Sequence, residues 1–203
     1  SWLAEGLVRF LLSADPAARA LRREFAIRIF PVPEPYVPAG TEAGAPSGGL
    51  SKGRAAIQRA LAGERAAGRA VAALVSLRGR TYGPGGRISF ADGWRADAAT
   101  PGSVARHLPW YALGGPPAAD DWFLGLDAPA DAVRIQVETG WFYPAGLCGD
   151  GPARRSQFDL IQEGELLCRA LLPFAGIAPP EGADALPPLL APSLTRRASG
   201  GAT

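Results

Sequence analysis

Histidine, lysine, cysteine and methionine are all scarce in this 203-residue sequence. His107 and Lys52 are the only residues of their types, and methionine is absent, so arginine supplies almost all of the positive charge. A single imidazole excludes a site that needs several histidines, and we expect His107 to have a packing or surface role. The excess of arginine, alanine, glycine and proline suggests a GC-rich bacterial genome.

The two cysteines exclude a disulfide framework. Cys148 and Cys168 lie 20 residues apart, without the close pair spacing that structural zinc sites use. A three-ligand metal site that adds His107 is one alternative. We expect instead that Cys168, which falls on an apolar helix face, is an ordinary buried thiol.

Long apolar runs and a strong net charge are also missing. The apolar segments are far shorter than the ~18–20 residues that span a bilayer, and no leader peptide is visible. A formal net charge of +2 is too small to indicate nucleic-acid binding. We therefore expect neither a membrane nor a nucleic acid as a partner. Because methionine is absent and a helical pattern begins at Ser1, we expect that an N-terminal part is missing, which leaves the compartment open.

The remaining composition is that of one globular domain, with 47% hydrophobic and 20% charged residues. We expect residues 1–175 to form this domain and the Pro-, Ala- and Gly-rich residues 176–203 to form a tail. Helical spacing of apolar residues alternates with short apolar or alternating segments, which is typical of an α/β fold. The predicted helices span 2–12, 16–23, 52–70 and 156–174, and the predicted strands span 25–30, 72–77 and 133–138, with an irregular segment at 31–49.

Two charged residues at strand ends are candidates for chemistry. Glu138 ends one predicted strand and precedes a run of aromatic residues that includes Tyr143. Strand ends border the ligand crevice of α/β sheets, so Glu138 suits a general base; a glutamate paired with an arginine or open to water is the alternative. Arg78 follows the strand that ends at Leu77. A guanidinium at this position could bind a carboxylate or phosphate, and the alternative is that Arg78 belongs to a solvated loop. The glycine-rich turn after it lacks a Lys-Ser/Thr pair, which excludes a P-loop.

These elements, in this order, resemble the zinc carboxypeptidases of the carboxypeptidase A type. The resemblance spans residues 1–175 and implies a mixed, largely parallel β-sheet flanked by helices. It is carried by the helix that begins with Ser1-Trp2, by strands at 25–31, 75–79 and 133–139, and by the closing helix at 157–174.

The metal and substrate motifs of that family are missing or replaced. Its His-x-x-Glu would precede Ser1, and its third ligand position holds Arg78, whose guanidinium cannot donate a lone pair to zinc. The Asn-Arg pair for the substrate carboxylate has no counterpart near residues 46–49, and only Glu138 falls on a catalytic position, that of the general base. The resemblance therefore implies an inactive domain, without zinc or another cofactor, that binds peptides or small carboxylates through Arg78 and Tyr143.

Two other functions stay open. The chain is an active metallocarboxypeptidase or amidohydrolase if a missing segment carries the His-x-x-Glu and His107 supplies the third ligand. Alternatively, it is a structural or interaction domain without pocket chemistry. If the alignment holds, Arg78 and Glu138 face one crevice, where the pair would be a structural substitute for the lost zinc.

Overall fold

The computed structural model of the chain describes residues 2–30, 52–79, 85–90, 99–114, 125–129, 132–143 and 154–178. Predicted features outside these residues include the irregular segment 31–49, Cys148 and most of the tail. The helices are α1 (Trp2–Leu12), α2 (Pro16–Glu24), α3 (Lys52–Ala66), α4 (Ala99–His107) and α5 (Gln157–Ala170). The strands are β1 (Ala73–Gly79), β2 (Gly86–Phe90), β3 (Tyr111–Leu113) and β4 (Val133–Thr139).

The four strands form one mixed sheet in the order β1-β4-β2-β3. β1 is parallel to β4, β2 is parallel to β3, and β2 and β4 are antiparallel. The sheet is therefore mostly parallel with helices around it, which confirms the predicted α/β fold class. No helix in the described part of the chain is long and apolar enough to cross a membrane.

The two faces of the sheet differ in chemistry because side chains alternate along each strand. One face, here called the helix-covered face, is apolar and lies against α1, α4 and α5. The opposite face, called the polar face, carries serine, glutamine, arginine and glutamate side chains. The core of the helix-covered face contains Ile88, Phe90, Tyr111, Ile135 and Val137 from the strands and Leu3, Val104, Leu166, Leu167 and Ala170 from the helices.

Two glycines let α1 and α5 approach until their backbones touch. A Cβ atom added at Gly6 would lie 1.7 Å from the carbonyl oxygen of Ile161, and one added at Gly164 would lie 2.1 Å from that of Leu3. Neither backbone oxygen can move aside as a flexible side chain would. This close crossing holds α5 against the sheet and so fixes the side chains that α5 presents to it.

The ends of α5 follow from local sequence. Ser156 is the N-cap, and it forms a capping box with Asp159, since each side chain accepts from the backbone N–H of the other. The helix ends at Ala170, earlier than the predicted 174, and a 3-10 turn follows at Pro173–Ala175. Pro173 has no backbone N–H to continue the helical hydrogen bonds, which explains the earlier end.

The predicted strand at residues 25–30 was wrong. The segment has no regular secondary structure and is not paired with any strand in the described part of the sheet, and Ile27 and Ile29 remain 42% and 40% exposed. Arg28 forms an ion pair with Glu64 of α3 instead. Alternation of apolar residues predicts an extended backbone, but a strand also needs a partner whose free edge lies within hydrogen-bonding reach.

Candidate functional site

Three charged residues form a row across the polar face, at the end of the sheet. In the strand register, Glu138 of β4 is paired with Arg78 of β1 on one side and with Arg87 of β2 on the other. Residues paired in this way project to the same face, with Cβ atoms ~5 Å apart. Glu138 is half-buried, Arg78 is exposed and Arg87 is half-buried. Glu138 therefore lies between two arginines in the strand register, a constellation we call the arginine–glutamate row.

A second polar row lies on the same face, two residues away from the first along each of the three strands. Gln136 of β4 is paired with Ser76 of β1 and Ser89 of β2. Gln136 is only 2% exposed, and its side-chain amide donates a 3.3 Å hydrogen bond to Oε1 of Glu138. The amide oxygen of Gln136 is buried without a hydrogen-bond partner among the described residues. Gln136 therefore helps to fix the orientation of the Glu138 carboxylate through this hydrogen bond.

Apolar contacts close the other end of the polar face. Leu74 of β1 packs against Ile57 and Leu61 of α3 and against Leu126. Arg134 donates a 3.3 Å hydrogen bond to the Leu126 carbonyl, which ties that segment to β4. The arginine–glutamate row lies beyond this cluster, toward the carboxyl ends of β1 and β4, where α/β sheets place their ligands.

The structure brings two of the three predicted site residues together. Arg78 and Glu138 are direct cross-strand neighbours on one face. Tyr143 lies elsewhere: it is 1% exposed, its ring meets that of Trp110 edge-on at 5.5 Å, and the Arg155 guanidinium lies 5.0 Å from its centre. Its predicted role as a ligand contact stays a prediction, and its side chain is part of the core.

A second arginine–glutamate constellation, which sequence reasoning missed, lies on the helix-covered face. The side chains of Arg155 and Glu163 are both fully buried, and Nη1 of Arg155 donates to the two carboxylate oxygens at 2.8 and 2.9 Å. Nη1 also donates to Thr139 Oγ1 at 2.7 Å, and Thr139 donates to Glu163 at 2.9 Å. The hydroxyl of Tyr111 donates to the same carboxylate. We call these four residues the buried cluster.

Burial dominates the electrostatics of this cluster. It raises the pKa of Glu163 above its ordinary value of 4.5, while the charge of Arg155 and the hydroxyl donors act in the opposite direction. Burial and the neighbouring carboxylate raise the pKa of Tyr111 well above 10. Because Tyr111 stays protonated, it remains a hydrogen-bond donor to Glu163, and the cluster is suited to holding structure.

The described residues do not fit the zinc that the family resemblance implies. No group of three histidine, cysteine, aspartate or glutamate side chains in the described ranges lies close enough to hold a metal ion. Arg78, which the resemblance puts at the third ligand position, has no lone pair to offer. His107 is buried at the end of α4, in the packing role that we predicted as one of two, and burial raises the pKa of the predicted buried thiol, Cys168, to about 12.

Local signals for the missed residues exist, but they are weak. The sequence Arg87-Ile88-Ser89-Phe90 alternates polar and apolar residues after a glycine turn, which indicates a short strand with Arg87 on its polar side. Arg155 stands directly before the Ser-x-x-Asp capping box of α5. Nothing in that local pattern indicates that its guanidinium is buried.

Comparison of the chain with profiles of known protein families and with curated proteins returned no match. The resemblance to zinc carboxypeptidases therefore stays a prediction from the sequence motifs. The mixed, mostly parallel sheet with helices around it defines the architecture independently of that resemblance.

Proposed function

We propose that this chain is a carboxypeptidase-like domain that binds peptides or small carboxylates without metal-dependent catalysis. The observation that carries the proposal is the arginine–glutamate row, in which Arg78 and Arg87 flank Glu138 on one face. Arg78 and Arg87 carry two guanidinium groups on this face of the sheet. A carboxylate ligand complements their charge, and the planar donors of arginine suit its two oxygens.

Each residue of the row has a distinct role in this proposal. Arg78 and Arg87 bind the ligand carboxylate. Glu138, which lies between the two arginines, holds their guanidinium groups in position. Gln136 keeps the Glu138 carboxylate in place through its amide hydrogen bond.

The same arrangement argues against catalysis by Glu138. A general base needs a free lone pair directed at the nucleophile, and the nucleophile of the family is a metal-bound water. Here Glu138 already accepts a hydrogen bond from Gln136, and the resemblance puts Arg78 at the third ligand position. We expect binding without turnover.

Titration calorimetry with N-acetylglycine, a minimal peptide carboxylate, tests the proposal. N-acetylglycinamide, which has the same shape without the charge, is the matched ligand control. Arg87→Gln and Arg78→Gln should each weaken N-acetylglycine binding by about tenfold or more, since a hydrogen bond to a charged group contributes ~1.5–3 kcal/mol. Arg59→Gln, an exposed change on α3, should leave the affinity unchanged.

Two results would overturn the proposal. Equal affinity for N-acetylglycine and N-acetylglycinamide would show that charge is not recognised. Release of the C-terminal residue from a blocked dipeptide, in the presence of added zinc, would contradict the non-catalytic part and favour an active metallopeptidase.

A further inference from the structure

The β1 strand forms one outer edge of the sheet, and within the described part of the chain it pairs only with β4. The carbonyl oxygen of Ala72, next to β1, accepts from the N–H of Val133 in β4. Because the backbone groups of successive residues point to opposite sides of a strand, alternate residues of β1 direct their N–H and C=O groups away from β4. These outward residues are Ala73, Val75, Leu77 and Gly79.

The β1 edge lacks most features that keep edge strands from pairing with other chains. Such strands are usually short, carry proline, lysine or a bulge, or are covered by a helix or loop. The opposite edge fits this rule, because β3 has only three residues. β1 has seven residues, none of them proline or lysine, and its register with β4 contains no bulge. Val75 of β1 remains 43% exposed, so the middle of this edge is open to a further strand.

The backbone of β1 is complementary to a second copy of itself. Two antiparallel β1 strands overlap along their whole length when Ser76 of one copy lies opposite Ser76 of the other. In that register Val75 faces Leu77 of the second copy, and Ala73 faces Gly79. Each of these pairs exchanges two N–H···O=C bonds, so all the outward-directed groups of both strands find partners. A shift in either direction leaves outward groups at the strand ends unpaired.

The side chains of β1 fit the same register on both faces of the sheet. On the helix-covered face, Val75 would lie beside Leu77 of the second copy, and Leu77 already packs against the core. On the polar face, Arg78 would lie opposite Leu74 of the second copy. The two Arg78 residues are then offset by roughly 13 Å along the strands, which exceeds the Debye length of about 8 Å. No like charges therefore oppose the pairing.

We propose that this chain forms a twofold-symmetric homodimer through its β1 edge, with Ser76 facing Ser76. The two sheets then join into one continuous sheet of eight strands, four from each copy. Pairing along one short strand buries less surface than a standard-size interface, so the dimer is reversible and its Kd falls in the micromolar range. The inference is independent of the function proposed for the arginine–glutamate row, since dimerisation is measured without a ligand.

Sedimentation velocity of the full chain tests whether the dimer exists. The concentration series extends into the submillimolar range, so that a weak association is detected. We expect a reversible equilibrium between monomer and dimer, with the weight-average sedimentation coefficient rising smoothly as the concentration increases. A chain that stays monomeric over the whole series overturns the proposal, whatever the N-acetylglycine titration shows.

A proline at position 75 tests whether the β1 edge is the interface. Because the N–H of Val75 points away from β4, Val75→Pro removes a donor to the second copy and no hydrogen bond within the sheet. We expect the dimer Kd to rise about tenfold or more, since each copy loses one intermolecular hydrogen bond. Val75→Thr, which keeps the N–H and the β-branched shape, is the matched control and should stay within about threefold of the wild type. Equal Kd values for the two variants would overturn the proposal. Should the proline variant not fold, Val75→Lys, which places a charge on the exposed edge, takes its place in the same comparison.

Disulfide crosslinking tests the register. Facing residues of a non-hydrogen-bonded antiparallel pair have Cα atoms ~4.5 Å apart, within the roughly 4.4–6.8 Å range of disulfides. Ser76→Cys, in a Cys148→Ser background that leaves only the buried Cys168, should therefore give a covalent dimer on mild oxidation. Arg78→Cys in the same background is the matched control, because the two copies of residue 78 are too far apart in this register. Failure of Ser76→Cys to crosslink, or equal crosslinking of Arg78→Cys, would overturn the proposed pairing.

Discussion

Two arginine–glutamate constellations occupy opposite faces of the same sheet, and they differ in burial more than in composition. In the buried cluster, Arg155 and Glu163 are sealed between the sheet and α5 with no exposed side-chain area. In the arginine–glutamate row, Arg78 is open to solvent and Glu138 is half-buried. Glu138 and Thr139 are consecutive residues of β4, yet one belongs to the row and the other to the cluster.

The comparison shows how environment assigns a role to the same pair of residue types. Charges removed from water must satisfy each other through a fixed set of hydrogen bonds, so the buried cluster specifies how α5 docks. Charges near water are screened and contribute little to stability, so the row is expected to do less to hold the fold together. Each of the following variants alters either the buried cluster with its helix crossing or the arginine–glutamate row.

Removing the buried carboxylate should have the largest effect on stability. Glu163→Ala leaves the Arg155 charge buried without its partner, and we expect the free energy of unfolding in urea to fall by about 3–5 kcal/mol. Glu5→Ala, in the exposed Glu5–Arg9 pair of α1, is the matched control and should cost ~0.5 kcal/mol or less. Similar losses of unfolding free energy in the two variants would show that burial does not determine how much an arginine–glutamate pair stabilises the fold.

The close helix crossing behind the cluster should tolerate no added methyl group. Gly6→Ala places a carbon against the Ile161 carbonyl, and we expect a loss of about 1–3 kcal/mol or more in thermal or urea unfolding. Gly63→Ala, on an open part of α3 with nothing within 4 Å, should instead stabilise the chain by roughly 0.5–1 kcal/mol. A neutral Gly6→Ala would mean that α1 and α5 are not in backbone contact.

The buried cluster should also make stability depend on pH in a defined direction. Burial raises the pKa of Glu163 in the folded state above 4.5, its ordinary value in an unfolded chain. The stability that this group contributes is therefore fully present below about pH 4.5 and declines as the pH rises through the raised folded pKa. Glu163→Gln carries a neutral side chain at every pH, so the wild type should lose unfolding free energy relative to this variant as the pH rises from 4 upward. Parallel curves would contradict the raised pKa.

Neutralising the carboxylate of the row should have the smallest effect on stability. Glu138→Gln removes a half-buried charge whose arginine neighbours lie near solvent, and we expect a change in unfolding free energy below ~1 kcal/mol. The same variant should alter N-acetylglycine binding, because the two arginines lose the group that holds them. A stability loss as large as that of Glu163→Ala would mean that Glu138 is needed to stabilise the fold.

Sequence periodicity was sufficient for much of the fold and for part of the candidate site. Apolar alternation predicted the strands that became β1 and β4, and Arg78 and Glu138 were recognised because both stand at strand ends. Arg87 was missed because β2 is a five-residue strand after a glycine turn. The strand predicted at 25–30 failed because alternation contains no information about which edge a strand will meet.

The sequence alone determined the α/β class, the apolar helix faces and the capped start of α5. It also determined that position 78 carries an arginine, whose guanidinium cannot bind a metal ion. These depend on neighbours within a few residues, and local spacing is enough to express them. Only the tertiary structure decided that Arg87 flanks Glu138, that Tyr143 lies in the core, and that Arg155 reaches Glu163 in a dry interior. Those outcomes depend on strand register and on the closeness of the α1–α5 crossing, which join residues far apart in sequence and which no local pattern encodes.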